Sequence, residues 1–478
     1  MNIKEFRDTG HLMIDWIADY LEHIEEKPLF PRVEPRELYE LFDESVPTEP
    51  TPAGDVLREL QEKLLPYCTH VNHPGYFGLI CPTPTPVGIL GDLLASALNQ
   101  NVGTYTIGPS AVAMERRTVR WLNDLIGYDA KAGGNLTSGG MMANFIGLKL
   151  ARDAATGNLA QHEGLRQVYS VYVSEERHVS VDKAVDAVGI GRNQMRVIPT
   201  DEEFRIRIDL LEKAIAEDQR NDIFPLCIVG LAGTTNTGSV DDLRQLRRIA
   251  DRIGAWFHVD AAYGGGIFLS RKRAGLLDDV KLADSVTLDP HKWFYAPLDA
   301  GALLVKDEMQ LTQSFGMKPA YLTDELDQRN ERYQYYVHSF EQSRRFRSLK
   351  VWMSFKRYGT KQIGEWIDAN IEHAERVYEL CKENFVPAVK PLMSAICIRY
   401  QPQGVEEERL TRIHQEVARR IEEGGKFWIS TTVLKGLHWF RINPVNFRTR
   451  LSHLDELMET LRIECKEAEK GSAGFQPA

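Results

Sequence analysis

A chain of 478 residues, 43% hydrophobic and 26% charged, has the length for two or three packed units and the balance of a soluble globular enzyme. Its net charge of -10 argues against nucleic acid or an anionic membrane as the main partner, because phosphate backbones and headgroups are held by clustered Lys and Arg. Six scattered cysteines without a C-x-x-C pair, a charged opening (Lys4-Glu5-Phe6-Arg7-Asp8) and no bilayer-length apolar run lead us to expect no disulfide framework, metal module, signal peptide or membrane span, hence a reduced, cytoplasmic protein.

Residues 3–25 have the period of an amphipathic helix, with Phe6, Met13, Ile17, Tyr20 and Ile24 near one face. Such a face needs a partner, either the large domain or a second subunit. Pro28, Pro31, Pro35, Pro47, Pro50 and Pro52 follow, too irregular for a core element. From about 99 to 315 strands alternate with helices: strands at 168–173, 226–231, 256–259, 284–288 and 302–305, helices at 179–188 and 242–253. Near-continuous apolar strands of this kind predict an α/β fold with a mostly parallel central sheet covered on both faces. After a helix at 346–358 the pattern becomes α+β, with strands at 394–400, 426–431 and 438–442 between helices at 361–383, 408–423 and 449–466. The expected division is an N-terminal helical arm and linker (1–85), a large α/β domain (86–345), a smaller C-terminal α+β domain (346–466) and a disordered tail (467–478).

Three short stretches fall where strands end, which is where open α/β sheets bind ligands. Thr137-Ser138-Gly139-Gly140-Met141-Met142-Ala143-Asn144 opens a helix with small residues, exposing N–H groups to an anion such as phosphate. By itself this is an ordinary helix start. His258-Val259-Asp260-Ala261-Ala262-Tyr263 ends a strand in an acid that could pair with a cationic ring nitrogen, while Ala262 leaves room for a flat ring. A helix cap or a His-x-Asp metal fragment are the other readings, the metal one lacking a third ligand. Asp289-Pro290-His291-Lys292-Trp293 sets a lysine between a histidine and a bulky tryptophan, as suits a partly desolvated, nucleophilic amine. A surface lysine would do as well if the stretch stood alone. Together, the three supply an anion cradle, an acid for a ring nitrogen and a Schiff-base lysine, the parts that pyridoxal 5'-phosphate requires.

With Glu5-Phe6-Arg7, Tyr20-Leu21-Glu22, Val33-Glu34-Pro35, His73-Pro74 and Arg344-Arg345-Phe346-Arg347-Ser348-Leu349-Lys350, these stretches make the sequence resemble the group II pyridoxal-phosphate decarboxylases, within them the aromatic L-amino-acid decarboxylases, from Met1 to about residue 465. The resemblance implies the fold-type-I transferase fold, pyridoxal 5'-phosphate as cofactor, a small amino-acid substrate and a homodimer with shared active sites. It implies that Lys292 carries the Schiff base and that Asp260 keeps the pyridine nitrogen protonated. His178 would stack on the ring and face the substrate carboxylate, although a helix cap or a core histidine is the plainer reading of that residue alone. Thr235 would lie near the cofactor's 3'-oxygen, and Gly139, Gly140, Met141 and His291 would lie on the phosphate side. Tyr335, counted back from Arg344, matches a mobile-loop tyrosine that protonates the substrate carbon after CO2 leaves; Tyr333 and Tyr336 are its near neighbours in register.

The substrate side departs from the family. Val71, Leu79, Ile80 and Thr104 stand at or near places where relatives with aromatic substrates carry aromatic residues, and Met141 stands where a hydroxyl is common. Ser343 occupies a position where Ser accompanies phenolic and Gly indolic substrates. The reaction expected is decarboxylation of an L-amino acid, aromatic by resemblance (tyrosine, DOPA, tryptophan or phenylalanine). The rivals are a decarboxylase of a non-aromatic or acidic amino acid, for which Arg441 cannot be placed in the pocket from sequence, an oxidative decarboxylase-deaminase giving an aldehyde, and an inactive binding protein of the same fold.

Overall fold

Seven strands form the central sheet of the computed structural model, which describes residues 1–317 and 331–471. They are β1 (Gly133–Thr137), β2 (Tyr169–Ser174), β3 (Met195–Ile198), β4 (Phe224–Leu231), β5 (Trp256–Asp260), β6 (Ser285–Leu288) and β7 (Gly301–Val305). They lie in the order β1-β7-β6-β5-β4-β2-β3. Strands β3, β2, β4, β5 and β6 are parallel, whereas β7 runs antiparallel to both its neighbours. The link from β6 to β7 carries no crossover helix, so the chain turns back instead of returning to the same edge. Central strands are buried on both faces: Val171, Val173, Val229 and Leu231 pack with Leu148, Val181 and Val185 in one apolar cluster.

The helices used below are α1 (Ile3–Glu22), α2 (Pro86–Leu98), α3 (Gly140–Ala155), α4 (Val179–Ala187), α5 (Leu243–Ile253), α6 (Ser348–Leu380), α7 (Glu407–Gly424) and α8 (Leu451–Gly471). Helix α1 starts at a capping box in which the Asn2 side chain accepts from Glu5 N–H while the Glu5 carboxylate accepts from Asn2 N–H. None of its residues is buried, and Ile3, Phe6, Leu12, Met13 and Ile14 are exposed. Helix α2 likewise exposes Leu90, Leu93, Leu94 and Leu98. The two helices expected at 346–358 and 361–383 form one run, α6, interrupted at Gly359, whose φ of 65° breaks the helical path.

The smaller sheet comprises β8 (Phe385–Pro387), β9 (Ile396–Tyr400), β10 (Ser430–Leu434) and β11 (Leu437–Ile442), in the order β10-β11-β9-β8. The strand expected at 426–431 starts later, at Ser430, because Trp428 is already engaged: its N–H donates to Gly75 and its carbonyl accepts from Phe77.

By contacts the chain divides into a larger unit (80–372 with 389–396) and a smaller one (1–79 with 373–388 and 397–478), which differs from the expected division in three places. The arm is not separate: Leu29 N–H donates to Gly425, and Glu25 pairs with Arg450 and His453. The boundary expected at 345 moves to 372, because α6 is tied to the larger unit through Asn370, which accepts from Trp293 Nε1, and Asp368, which accepts from Ser270. The tail expected from 467 begins no earlier than Gly471, since buried Cys465 and Ala468 hold the last turns of α8; residues 472–478 of that expectation lie outside the described residues.

Candidate active site

Strands β5 and β6 are neighbours in parallel register, Asp260 opposite Thr287, so the residues following each strand meet at one sheet edge. Thr137, at the end of β1, reaches the same edge opposite Gly301 at the start of β7. A β-carbon on Gly301 would lie 2.4 Å from the Gly139 Cα, so only glycine lets these two backbones approach.

Asp260 is set by a buried polar network. Asn144, one turn into α3, donates through Nδ2 to Asp260 Oδ2 (2.8 Å) and to Ser180 Oγ (2.8 Å). Its Oδ1 accepts from Thr287 Oγ1 (2.7 Å) and from His258 Nε2 (2.9 Å). That assigns the His258 proton to Nε2, with Nδ1 accepting from Ser285 Oγ (2.7 Å). Burial pushes His258 down to about 4 despite the opposing carboxylate of Asp260, so the ring is neutral at pH 7. The second Asp260 oxygen accepts from Ala262 N–H (3.1 Å).

Lys292 stands in a tight turn closed by its own N–H donating to the Asp289 carbonyl (2.8 Å). Trp293 anchors the turn: it is buried, stacked on Tyr263 with ring centroids 5.1 Å apart. The Lys292 amine lies 3.2 Å from Asp289 Oδ2, whose side chain is 2% exposed. Burial pushes the Asp289 carboxyl up, but Lys292 and His291 outweigh it and hold it below the usual carboxylate range. His291 Nδ1 accepts from Ala300 N–H (2.9 Å), which leaves Nε2 as its donor.

His178 caps the start of α4, its Nδ1 accepting from Ser180 N–H (3.2 Å) and from Ser180 Oγ (2.9 Å). Partial burial lowers its pKa, as does Lys292, against Asp260 and Asp289. These residues surround a cavity of about 260 Å³ lined also by Glu176, whose carboxyl is pushed up by burial against a hydrogen bond from Asn236.

Of the sequence-predicted site residues, Lys292, Asp260, Ala262, His178, Gly139, Gly140, Met141 and Thr235 line this one cavity. His291 lies against it: a β-carbon on Gly139 would be 3.2 Å from its ring. The remaining candidates do not line it. Tyr335 is buried beneath Arg344, whose guanidinium is 4.3 Å from the ring centre, among Val102, Val112 and Phe346, and burial drives its hydroxyl far above the usual tyrosine range. The residue expected as a mobile-loop tyrosine is thus a core residue in this conformation. Thr104 is buried and Ser343 exposed elsewhere in the larger unit, Ile80 is at that unit's first residue, and Val71 and Leu79 belong to the smaller unit. Arg441 is also in the smaller unit, donating to the Gly78 carbonyl (2.7 Å), and no arginine is among the described residues lining the cavity.

Sequence reasoning missed the roles of Asn144 and Asp289, although both stand inside the quoted stretches. Asn144 had one legible sign, its place four residues after Gly140 on the face of α3 above the sheet. Whether either group could hold pyridoxal 5'-phosphate is a question of fit, and the site fits. The Gly139–Gly140 helix start has no room for a side chain, a β-carbon on Gly140 coming within 2.8 Å of Asp289 Oδ2. Asp260 is aligned by donors on both oxygens, and Lys292 lines the same cavity.

Comparisons with known proteins give the family. The model of the pyridoxal-dependent decarboxylase conserved domain matches residues 35–401. An aromatic-L-amino-acid decarboxylase of Bacillus atrophaeus is 32% identical over 98% of this chain and 97% of its own. A phenylacetaldehyde synthase of Arabidopsis thaliana is 30% identical over 91% of each. The crystal structure of Oryza sativa TDC with PLP and tryptamine superposes with a TM-score of 0.92 at 27% identity, covering 98% of this chain and 99% of that one.

Proposed function

The chain belongs to the pyridoxal-dependent decarboxylase family and is a pyridoxal 5'-phosphate-dependent carboxy-lyase acting on an amino acid, and we propose that its substrate is an aromatic L-amino acid, released as the amine and CO2. The observation that carries the cofactor chemistry is the cavity in which a donor-aligned Asp260, the Lys292 amine and the glycine helix start converge, and the aromatic class is supported by the similarity to aromatic-amino-acid decarboxylases.

Bound pyridoxal 5'-phosphate supplies an electron-accepting ring that takes up the bonding pair as CO2 leaves the substrate. Gly139, Gly140, Met141 and His291 would hold its phosphate, Asp260 its ring nitrogen, Thr235 its 3'-oxygen side, and Lys292 its aldehyde carbon. Asn144 keeps Asp260 oriented by donating to Oδ2 while its own oxygen is held by two donors from the sheet. Ala262 would leave room for the flat ring. His178, with Nδ1 occupied by Ser180, would offer Nε2–H to the substrate carboxylate. Tyr335 would deliver the proton to the substrate carbon after moving from beneath Arg344.

We further infer a cytoplasmic homodimer with shared active sites. The exposed apolar residues of α1 and α2 support it, as do six free cysteines and the absence of Ile80, Thr104 and Ser343 from the described residues lining the cavity of their own unit. No helix among the described residues is long and apolar enough to cross a membrane.

A screen of amino acids by CO2 release tests the proposal, with product analysis of amine against aldehyde. Stoichiometric amine from tyrosine, DOPA, tryptophan or phenylalanine is expected. Turnover confined to acidic or aliphatic amino acids would overturn the substrate class. The oxidative reading stays open on one observation: Tyr335 does not line the cavity, and its test is aldehyde with oxygen uptake in place of amine.

A further inference from the structure

A second cavity in the larger unit shares no lining residue with the candidate active site. Trp121, Asp124 and Leu125 of the helix Pro109–Ile126 face Phe355, Lys356, Gly359 and Thr360 of α6 around about 430 Å³. That volume lies within the range of about 300–1,000 Å³ over which pockets take small organic ligands. Gly359, whose φ of 65° breaks α6, leaves open space where a side chain would stand: nothing lies within 4 Å of an added β-carbon.

The walls are aromatic. Trp121 stacks on Trp352 with ring centroids 6.5 Å apart and meets Phe355 edge-on at 6.3 Å, and all three rings are only partly buried. Two lining residues are charged. Asp124 is neutralised by Arg120, 2.5 Å away. Lys356 forms no ion pair among the described residues, and its amine lies 5.7 Å from the Trp352 ring centre, beside the same aromatic surface. Partly exposed rings next to an uncompensated ammonium complement a flat apolar ring that carries an anion. An aromatic cation would instead have to compete with Arg120 for Asp124.

The wall formed by Phe355 is also the support of the Lys292 turn. Phe355 packs on Phe294, ring centroids 5.8 Å apart, and against Ala296 and Ala300. Phe294 is buried two residues after Lys292, and Ala300 N–H donates to His291 Nδ1. One side chain thus touches the cavity and both ends of the turn that carries the amine.

We propose that this cavity is an effector site for a small aromatic carboxylate, and that a ligand seated on Trp121 and Phe355 with its carboxylate at Lys356 acts on Lys292 through Phe355 and Phe294. The site rests on the cavity alone; its effect on Lys292 rests on the decarboxylase reading above. An aromatic amino acid and its amine-free analogue share the required chemistry, whereas the arylalkylamine left by loss of CO2 lacks the carboxylate.

Calorimetric titration of the holoenzyme with 3-phenylpropanoate, which has no amine to condense with a cofactor, tests the site. Phenethylamine is the comparison ligand, and Thr360→Trp and Lys356→Glu, both at exposed positions, are the comparison proteins. Thr360→Trp should fill the cavity and abolish binding. Lys356→Glu should weaken it about three- to fivefold, the measure of an exposed ion pair, and phenethylamine should bind the wild type weaker by at least as much. Equal binding by all three proteins would place the probe in the active site and overturn the inference. So would no binding at millimolar probe, as when a second copy covers the cavity, and phenethylamine binding as tightly would overturn the ligand class. At saturating amino acid the probe should change the wild-type kcat about twofold or more and leave that of Thr360→Trp unaltered. An unchanged wild-type kcat would overturn the effect on Lys292. If no amino acid releases CO2, the decarboxylase reading itself fails, and the calorimetry still decides the site.

Discussion

Asn144 uses both protons of its amide and accepts twice through its oxygen, all inside the site, so its replacement leaves several buried groups without partners. Asn144→Ala is expected to destabilise the fold by about 1–3 kcal/mol, the cost of an unsatisfied buried polar group. It should slow decarboxylation while leaving the cofactor attached, because Asp260 loses its orienting donor and Lys292 does not. A rate equal to wild type would show that Asp260 needs no support. Lys292→Ala should abolish both the visible absorption of bound cofactor and turnover, since Lys292 is the one lysine among the described residues lining the cavity. Turnover near the wild-type level would sink the assignment. Asp260→Asn should retain cofactor and lose most of the rate, as an amide cannot keep a ring nitrogen protonated; an undiminished rate would reduce Asp260 to a cap.

Helix α1 carries a sound capping box and leaves Ile3, Phe6, Leu12, Met13 and Ile14 exposed. Deleting residues 1–25 should therefore cause dissociation or aggregation, read by light scattering, because large apolar surfaces at obligate interfaces do not remain soluble when one half is removed. A stable, active monomer is the contrary result. The elements legible from sequence were those with strong periodicity: β2, β4, β5, β6 and β7 were expected to within about two residues at each end, and α5 to within one. Strands β1 and β3 were not. The first reads Gly-Gly-Asn-Leu-Thr, whose polar residues are tolerated in a buried strand only because Asn135 donates to the His338 carbonyl and Thr137 lies at the cradle. The second is a short edge strand, half exposed, with little apolar pattern to betray it.

For the whole molecule, three of the six buried histidines weigh most on stability in acid. Burial pushes His258, His373 and His414 each down to about 4 from the ordinary 6.5. Because the unfolded chain binds these protons first, their contribution to stability is complete above about pH 6.5 and is lost as pH falls through that value toward 4, roughly 3 kcal/mol per histidine over the full window. Urea midpoints should decline from pH 7 to 5; a flat profile would contradict the burial. If Tyr335 is the proton donor, it travels from its place beneath Arg344 to act. Tyr335→Phe should spare cofactor binding and divert product from amine toward aldehyde with oxygen uptake, since a positioned acid competes with oxygen for the same carbon. Amine at the wild-type rate rejects that role, and the same diversion on changing Tyr333 or Tyr336 instead moves it to a neighbour.

The cofactor chemistry was written in the sequence because its requirements are local: an acid ending one strand, a lysine in the turn after the next, and glycines where a helix begins. Each is recognisable from a few consecutive residues, and together they specified the α/β fold and the cofactor. The tertiary structure decided the rest, because those features depend on side chains that meet across long separations. Asn144 reaches Asp260 across 116 residues, and the arm's Glu25 meets His453 across 428. The same holds for the burial of Tyr335 under Arg344 and for the isolation of Asp289 Oδ1. No local pattern encodes which donor a buried carboxylate will find, since that is settled only when the sheet brings its strand ends together.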